Sequence, residues 1–317
     1  MLTRSVAYKP FQYPWAFEAF KVQNQLHWLP DEIPLADDVQ DWNKKLTPAQ
    51  RNLVTHIFRL FTQSDEEIGN AYIDQYMPRF KNNELRMMFL AFGNMEAIHM
   101  QSYSYLLDTI GMPETEYSAF LEYTEMRDKY DLLQNYKMDT HHNTALSMAV
   151  FAAFTEGLQL FASFAMLMNF PRFNLMKNMG QIVSLSVRDE GLHVQSIMKL
   201  FHEYLDTFSS EIDKTALETS IRDACRTVVE NEDRFIDLAF EMGPVEGLDA
   251  AQMKEYIRWI ADMRLDGLGY SGMYHVQKNP LPWLDDMLNA VEHTNFFENR
   301  STEYSRAATG GDWGDVF

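Results

Sequence analysis

Two short stretches decide how this chain reads: Met95-Glu-Ala-Ile-His-Met-Gln-Ser-Tyr103 and Arg188-Asp-Glu-Gly-Leu-His193. Each contains Glu-x-x-His, Glu96 with His99 and Glu190 with His193. A step of three on a helix brings two side chains to one face, so each stretch presents a carboxylate beside an imidazole. Of the nine histidines, only these two have a glutamate three residues earlier. Average composition alone would give about one such pair, so the flanking segments must carry the argument. Upstream of the first, Leu53, Ile57, Phe61 and Asp65 recur every four residues, and Asp65 precedes Glu96 by 31 residues. Upstream of the second, Ala149, Ala153, Glu156, Leu160 and Phe164 share one helical face, and Glu156 precedes Glu190 by 34 residues. Both spacings suit antiparallel helices joined by a short connection.

The stripes that hold these residues are otherwise apolar. Leu85, Phe89 and Phe92 lead into Glu96, His99 and Tyr103, while Leu175, Met179, Ile182 and Ser186 lead into Glu190, His193 and Ile197. Any one of these acids could be a solvated charge and either histidine a bonded core residue. Six on apolar faces, in two halves of one plan, predict a metal site. Two helices each giving a carboxylate and two giving Glu-x-x-His form the four-helix arrangement of the di-iron and di-manganese carboxylate proteins, with Asp65 in place of one glutamate. Four carboxylates neutralise two divalent cations, and the oxygen-rich set suits iron or manganese better than copper. The ligand types do not separate iron from manganese. Tyr103, four residues after His99, falls on the ligand face one turn further on; by spacing alone it is equally a packed core tyrosine.

The remainder of the chain favours helix almost throughout. Its 317 residues include only 14 Gly and 11 Pro, with 46% apolar positions, so one large all-α domain is expected. Thr47-Pro-Ala-Gln50 has the form of a capping box with proline at the first helical position. Pro171 closes one helix or opens the next, and helical patterns continue through 210–241, 250–268 and 282–298. The stretch from Ala145 to Phe170 is long enough to span a bilayer, yet Glu156 and Gln159 sit at its middle, so a buried helix of a soluble protein is expected. A formal charge of −19 argues against nucleic acid and anionic membrane as partners. Cys225 is the only cysteine, which excludes an intramolecular disulfide and a thiolate cluster. The N-terminus has no continuous apolar run, and the expected location is the cytoplasm. Residues 1–298 read as one helical domain, and 299–317 as a flexible arm carrying Trp313, Val316 and Phe317.

The segments MEAIHMQSY, FTEGLQLF (154–161) and SVRDEGLH (186–193), with Asp65 at matching spacing, closely resemble the small, radical-generating subunit of class I ribonucleotide reductase. NPLPWLDDML (279–288) and NFFENRSTEY (295–304) extend the resemblance from about Trp28 to the C-terminus. It implies a ferritin-like bundle with extra helices, holding two metals: iron first, with manganese or a mixed manganese/iron pair left open. It implies that oxygen or a related oxidant reacts there and that Tyr103 is oxidised to a stored radical. The hole then travels to the large subunit, where a ribonucleoside diphosphate is reduced to a deoxyribonucleotide. By the same resemblance Trp28 and Asp189 link the metals to the surface, Asp189 orients His99, and Tyr304, with Glu298 six residues before it, relays the radical across the interface. Residues 313–317 would dock on the large subunit, and the chain would form a homodimer. Leu160 stands where some members carry phenylalanine. Gly69, four residues after Asp65, leaves no lysine to bond that ligand. The rival reading is a ferritin-like dimetal oxidase or hydroxylase acting directly on its own substrate.

Overall fold

The computed structural model describes residues 1–134 and 136–288, apart from the side chains of Thr62 and residues 132–134. The chain divides into two compact units, Met1–Pro280 and Leu281–Phe317. In the second, residues 282–288 are helical. The expected boundary at 298, and Glu298, Tyr304, Trp313, Val316 and Phe317, lie outside the described residues.

The first unit is helical, with an isolated bridge between Val245 and Leu248 and no strand among the described residues. Helix α1 spans Pro14–Gln25 and α2 spans Ala36–Lys44. Helix α3, Pro48–Ala71, begins on the capping box read from the sequence: Gln50 N–H donates to Thr47 Oγ1 at 3.2 Å and Thr47 N–H to Gln50 Oε1 at 2.9 Å. It runs on through a wide π-helical turn, Tyr72–Tyr76, and ends at Phe80. Helix α4, Asn83–Ile110, starts on the Asn82 side chain and stops at Gly111, whose φ of 79° is the left-handed conformation that glycine adopts readily.

Helix α5 spans Thr124–Gln134. Helix α6 covers His141–Arg172, with π-helical winding over Val150–Gln159 and Pro171 in its last turn. It is long and apolar enough to cross a membrane, but 94% of its apolar window is buried within the protein, so it is a core helix. Helix α7, Lys177–Thr207, starts after Met176 in a left-handed conformation. Two buried aspartates of α2 cap it: Asp38 accepts from the N–H groups of Asn178 and Met179, and Asp41 from that of Met176. Helices α8, Lys214–Ala239, and α9, Ala250–Gly267, pack on the π-helical part of α6.

The layout follows from the pairs. Helix α3 packs along α4 and α6 along α7, α1 lies against α4, and α4 also meets α7. The apolar stripes read from the sequence point into the space between the pairs, where Leu53, Ile57, Phe61, Phe89 and Phe92 are all buried.

Candidate metal centre

The centre is built at the level where the two pairs face each other. Asp65 comes from α3, Glu96 and His99 from α4, Glu156 from the π-helical part of α6, and Glu190 and His193 from α7. All six are at most 2% exposed. Ligand atoms converge in two groups, each spanning less than 4.8 Å: Asp65, Glu96 and His99 in one, and Glu96, Glu156, Glu190 and His193 in the other. Glu96 belongs to both.

Helix α6 departs from the regular periodicity expected of it. Residues 150–159 wind with the wider i to i+5 spacing, and every one of them is buried, so no polar face marks the change. Single wide turns of this kind recur at functional sites. Here the winding leaves the Gly157 carbonyl accepting Arg264 Nε at 2.7 Å. A Cβ at position 157 would meet that nitrogen at 2.8 Å and the Ala152 carbonyl oxygen at 2.6 Å, so glycine is required. Burial lowers the Arg264 guanidinium to about 10.

Both imidazoles turn Nδ1 toward the carboxylates and Nε2 away. His99 Nδ1 lies 3.2 Å from Glu190 Oε1 and 3.5 Å from Glu96 Oε2; His193 Nδ1 lies 3.0 Å from Glu96 Oε1 and 3.5 Å from Glu190 Oε2. On the far side, His99 Nε2 is 3.3 Å from Asp189 Oδ2 and His193 Nε2 is 3.0 Å from Gln23 Oε1. Both outer partners are acceptors, so they hold the ring proton on Nε2 and leave the Nδ1 lone pair facing inward, as a metal-ligating histidine requires. Gln23 also donates to Asp189 Oδ1 at 3.3 Å.

The donor set fits a pair of cations by a second criterion. Glu96 and Glu190 have both carboxylate oxygens buried without a hydrogen-bond partner, and so have Asp65 Oδ2, Glu156 Oε2, His99 Nδ1 and His193 Nδ1. Buried polar atoms are almost always satisfied, and these unpaired ones all face one another. Burial and then Glu96 push Asp65 well above the usual carboxylate range; burial and then Glu190 do the same to Glu156. For Glu96 burial pulls upward, but His193 and His99 outweigh it and hold the carboxyl low. Burial opposes charge on both histidines, and the carboxylates that surround them override it, raising His99 well above its ordinary value and His193 to about 10. Without cations, protons must do the neutralising. Elsewhere the interior neutralises a carboxylate with its own cation, Lys129 Nζ standing 2.6 Å from Glu232 Oε1.

A hydrogen-bonded line leaves the centre on the His99 side. Trp28 Nε1 donates to Asp189 Oδ2 at 2.8 Å, the same oxygen that faces His99, and the Trp28 and His99 rings stand 6.1 Å apart. Arg188 Nη2 donates to Asp189 Oδ1 at 3.1 Å. Burial works against the Asp189 charge, but His99, Arg188 and Trp28 prevail and hold the carboxyl below its usual range.

Two phenols border the centre. Tyr103 donates to Ser186 Oγ at 2.9 Å, with Phe61 and Phe58 rings at 4.9 and 5.8 Å; burial and then Asp65 push its phenol well up. Tyr72 donates to Glu156 Oε1 at 2.6 Å. Neither Tyr72 nor Gln23 was expected from the sequence. Tyr72 is seven residues after Asp65 and so falls on its face, which is the signal that could have found it; Gln23 has none. Leu160 is buried in the core. At Gly69 an added Cβ would stand 3.3 Å from Glu96 Cβ, so α3 and α4 approach closely where a lysine would have to fit.

The family model of the ribonucleotide reductase small chain matches residues 5–280. The chain belongs to that family. Over 99% of its length it is 42% identical to the probable ribonucleoside-diphosphate reductase small subunit of Invertebrate iridescent virus 3, covering 88% of that protein. It is 27% identical to the ribonucleoside-diphosphate reductase subunit beta of Chlamydia pneumoniae, over 94% of this chain and 89% of that one. Among solved structures, the ribonucleotide reductase R2 subunit of Clostridium botulinum superposes with a TM-score of 0.80 at 23% identity, over 87% of this chain and 89% of that one. The dimanganese(II)-NrdF of Streptococcus sanguinis superposes with a TM-score of 0.72 at 20% identity, over 86% and 94%. The fold is thus the ferritin-like bundle expected. The function is that of the ribonucleotide reductase small subunit, an oxidoreductase component that works with a large subunit. These matches do not favour an oxidase acting on its own substrate.

Proposed function

We propose that Asp65, Glu96, His99, Glu156, Glu190 and His193 hold two metal ions and that Tyr103 stores the oxidising equivalent made there. The observation that carries this is the inward convergence of unpaired oxygens and two Nδ1 atoms in a fully buried cluster. Iron is the first choice and manganese the alternative, since hard carboxylate-rich sets suit both and one structural neighbour is a dimanganese protein. When bound, the pair supplies oxidising power by reacting with oxygen or a related oxidant.

The protein residues keep that oxidising equivalent and direct it. Phe58 and Phe61 enclose the Tyr103 ring, and Ser186 fixes its hydroxyl, which excludes water from the oxidised phenol. Ser186 can accept from Tyr103 because its own hydroxyl donates to the Ile182 carbonyl at 3.2 Å. Asp189 joins Trp28 to His99 through one carboxylate oxygen and is suited to relay the hole toward the surface. Beyond it, Glu298 and Tyr304 would continue the transfer, and residues 313–317 would bury their aromatic side chains on the large subunit. The working unit would be a cytoplasmic homodimer bound to that subunit.

Tyr103→Phe is expected to retain both metals and give no tyrosyl signal by electron paramagnetic resonance after aerobic activation. An unchanged signal would refute the assignment. Deleting residues 305–317 should leave the radical intact and abolish turnover; undiminished binding to the large subunit would exclude docking through the tail.

A further inference from the structure

The second phenol has no place in that scheme, and its surroundings give it one. Tyr72 is the first residue of the wide turn that follows α3 and is 2% exposed. Its ring packs among Phe89, Phe92 and His193, with centroids 6.1, 5.8 and 6.0 Å away. Its hydroxyl donates to Glu156 Oε1 at 2.6 Å, a short charge-assisted contact of the stronger kind. Tyr72 therefore borders the group formed by Glu96, Glu156, Glu190 and His193, as Tyr103 borders Asp65, Glu96 and His99. The two phenols end differently: Tyr103 on a serine hydroxyl, Tyr72 on a carboxylate of the cluster itself.

Glu156 needs such a hold more than its counterparts do. Glu96 and Glu190 sit on regular helices beside a histidine three residues away, and Asp65 has a short side chain on another regular helix. Glu156 is carried by π-helical backbone and has no histidine at that spacing. The phenol fixes its Oε1, and its Oε2 is buried without a partner.

We propose that Tyr72 is a positioning residue for one of the two metal sites. By occupying Glu156 Oε1 it directs Oε2 to the cation, so that Glu156 binds through one oxygen rather than swinging to chelate with both. This rests on the reading of Glu156 as a ligand, and the test separates the two ideas.

The probe is Mn(II), titrated anaerobically into the metal-free full-length protein and followed by the resonance signal of the free ion, then by the line shape of the bound ions. Wild type should bind two ions per chain. Tyr72→Phe should still bind the ion held with Asp65 and His99 normally, bind the other about 10- to 100-fold more weakly, the usual range for losing a partner that orients a ligand, and change the line shape of the bound pair. Tyr76→Phe is the packing control: Tyr76 is also fully buried and its ring is 5.3 Å from that of Tyr72, but its hydroxyl has no hydrogen-bond partner. It should bind both ions as wild type does.

Equal affinities and line shapes in Tyr72→Phe and wild type would overturn the proposal while leaving the ligand set intact. Equal losses in both variants would overturn it in favour of packing. If wild type bound no Mn(II), the ligand assignment itself would fall. Should Tyr72→Phe not fold, 3-fluorotyrosine at position 72 keeps the shape and makes the phenol a stronger acid; the affinity of one ion should then shift, and an unchanged value would overturn the proposal.

Discussion

The two halves of the bundle carry the same Glu-x-x-His element, yet they support it differently. In the half made by α3 and α4, the backbone is regular through the ligand residues, and His99 is held from behind by a carboxylate, Asp189, that is bonded in turn to Trp28 and Arg188. In the half made by α6 and α7, the carboxylate helix is wound wide, and His193 is held from behind by a neutral amide, Gln23. A charged partner raises the basicity of an imidazole more than an amide does. The first half is thus bonded through Asp189 to Trp28 and Arg188, while the second is held by neutral groups, Gln23 and Tyr72. Similar sequence motifs are given different supports by residues outside the motif.

Glu96 belongs to both groups of ligand atoms, and breaking it should have the largest effect. Because its two oxygens face His99 and His193 separately, Glu96→Ala should lose tight binding of both ions, as measured by metal content after gel filtration; loss of one ion alone would show that the halves do not share it. Next in size is Asp189→Asn, which should weaken the ion on the His99 side about 10- to 100-fold in the same Mn(II) titration. Gln23→Ala should have the smallest effect, mainly on the His193 side and about fivefold for a neutral hydrogen bond worth about 1 kcal/mol net, because its other bond, to Asp189 Oδ1, is one of several that hold that carboxylate. Equal losses from the two would erase the distinction between a charged and a neutral support.

The parts of the fold that were legible in the sequence are those where chemistry repeats locally. Thr47 and Gln50 gave the start of α3 because both halves of a capping box lie within one turn. The stripes ending in Asp65, Glu96 and His99 were visible because apolar and polar faces alternate on helices exposed on one side. The π-helical winding of 150–159 left no such trace: with neighbours on every side, each residue is buried and the period is hidden. Asp189 was expected beside His99 and stands there. Gln23 reaches His193 from 170 residues away in sequence, and its helix, α1, was not anticipated either. Tyr72 lies on the face of Asp65, but at the first residue of the wide turn, where the regular period ends. Long-range polar contacts between single residues carry no periodicity, and only the assembled bundle brings them together.

The proposed site holds two ions among six buried side chains whose unpaired atoms converge inward. The most direct measurement is the number of Mn(II) or Fe(II) ions bound per chain by the metal-free wild-type protein under anaerobic conditions. Two tightly bound ions per chain, both lost in Glu96→Ala, is the predicted result. One ion, none, or two that persist without Glu96 would contradict it.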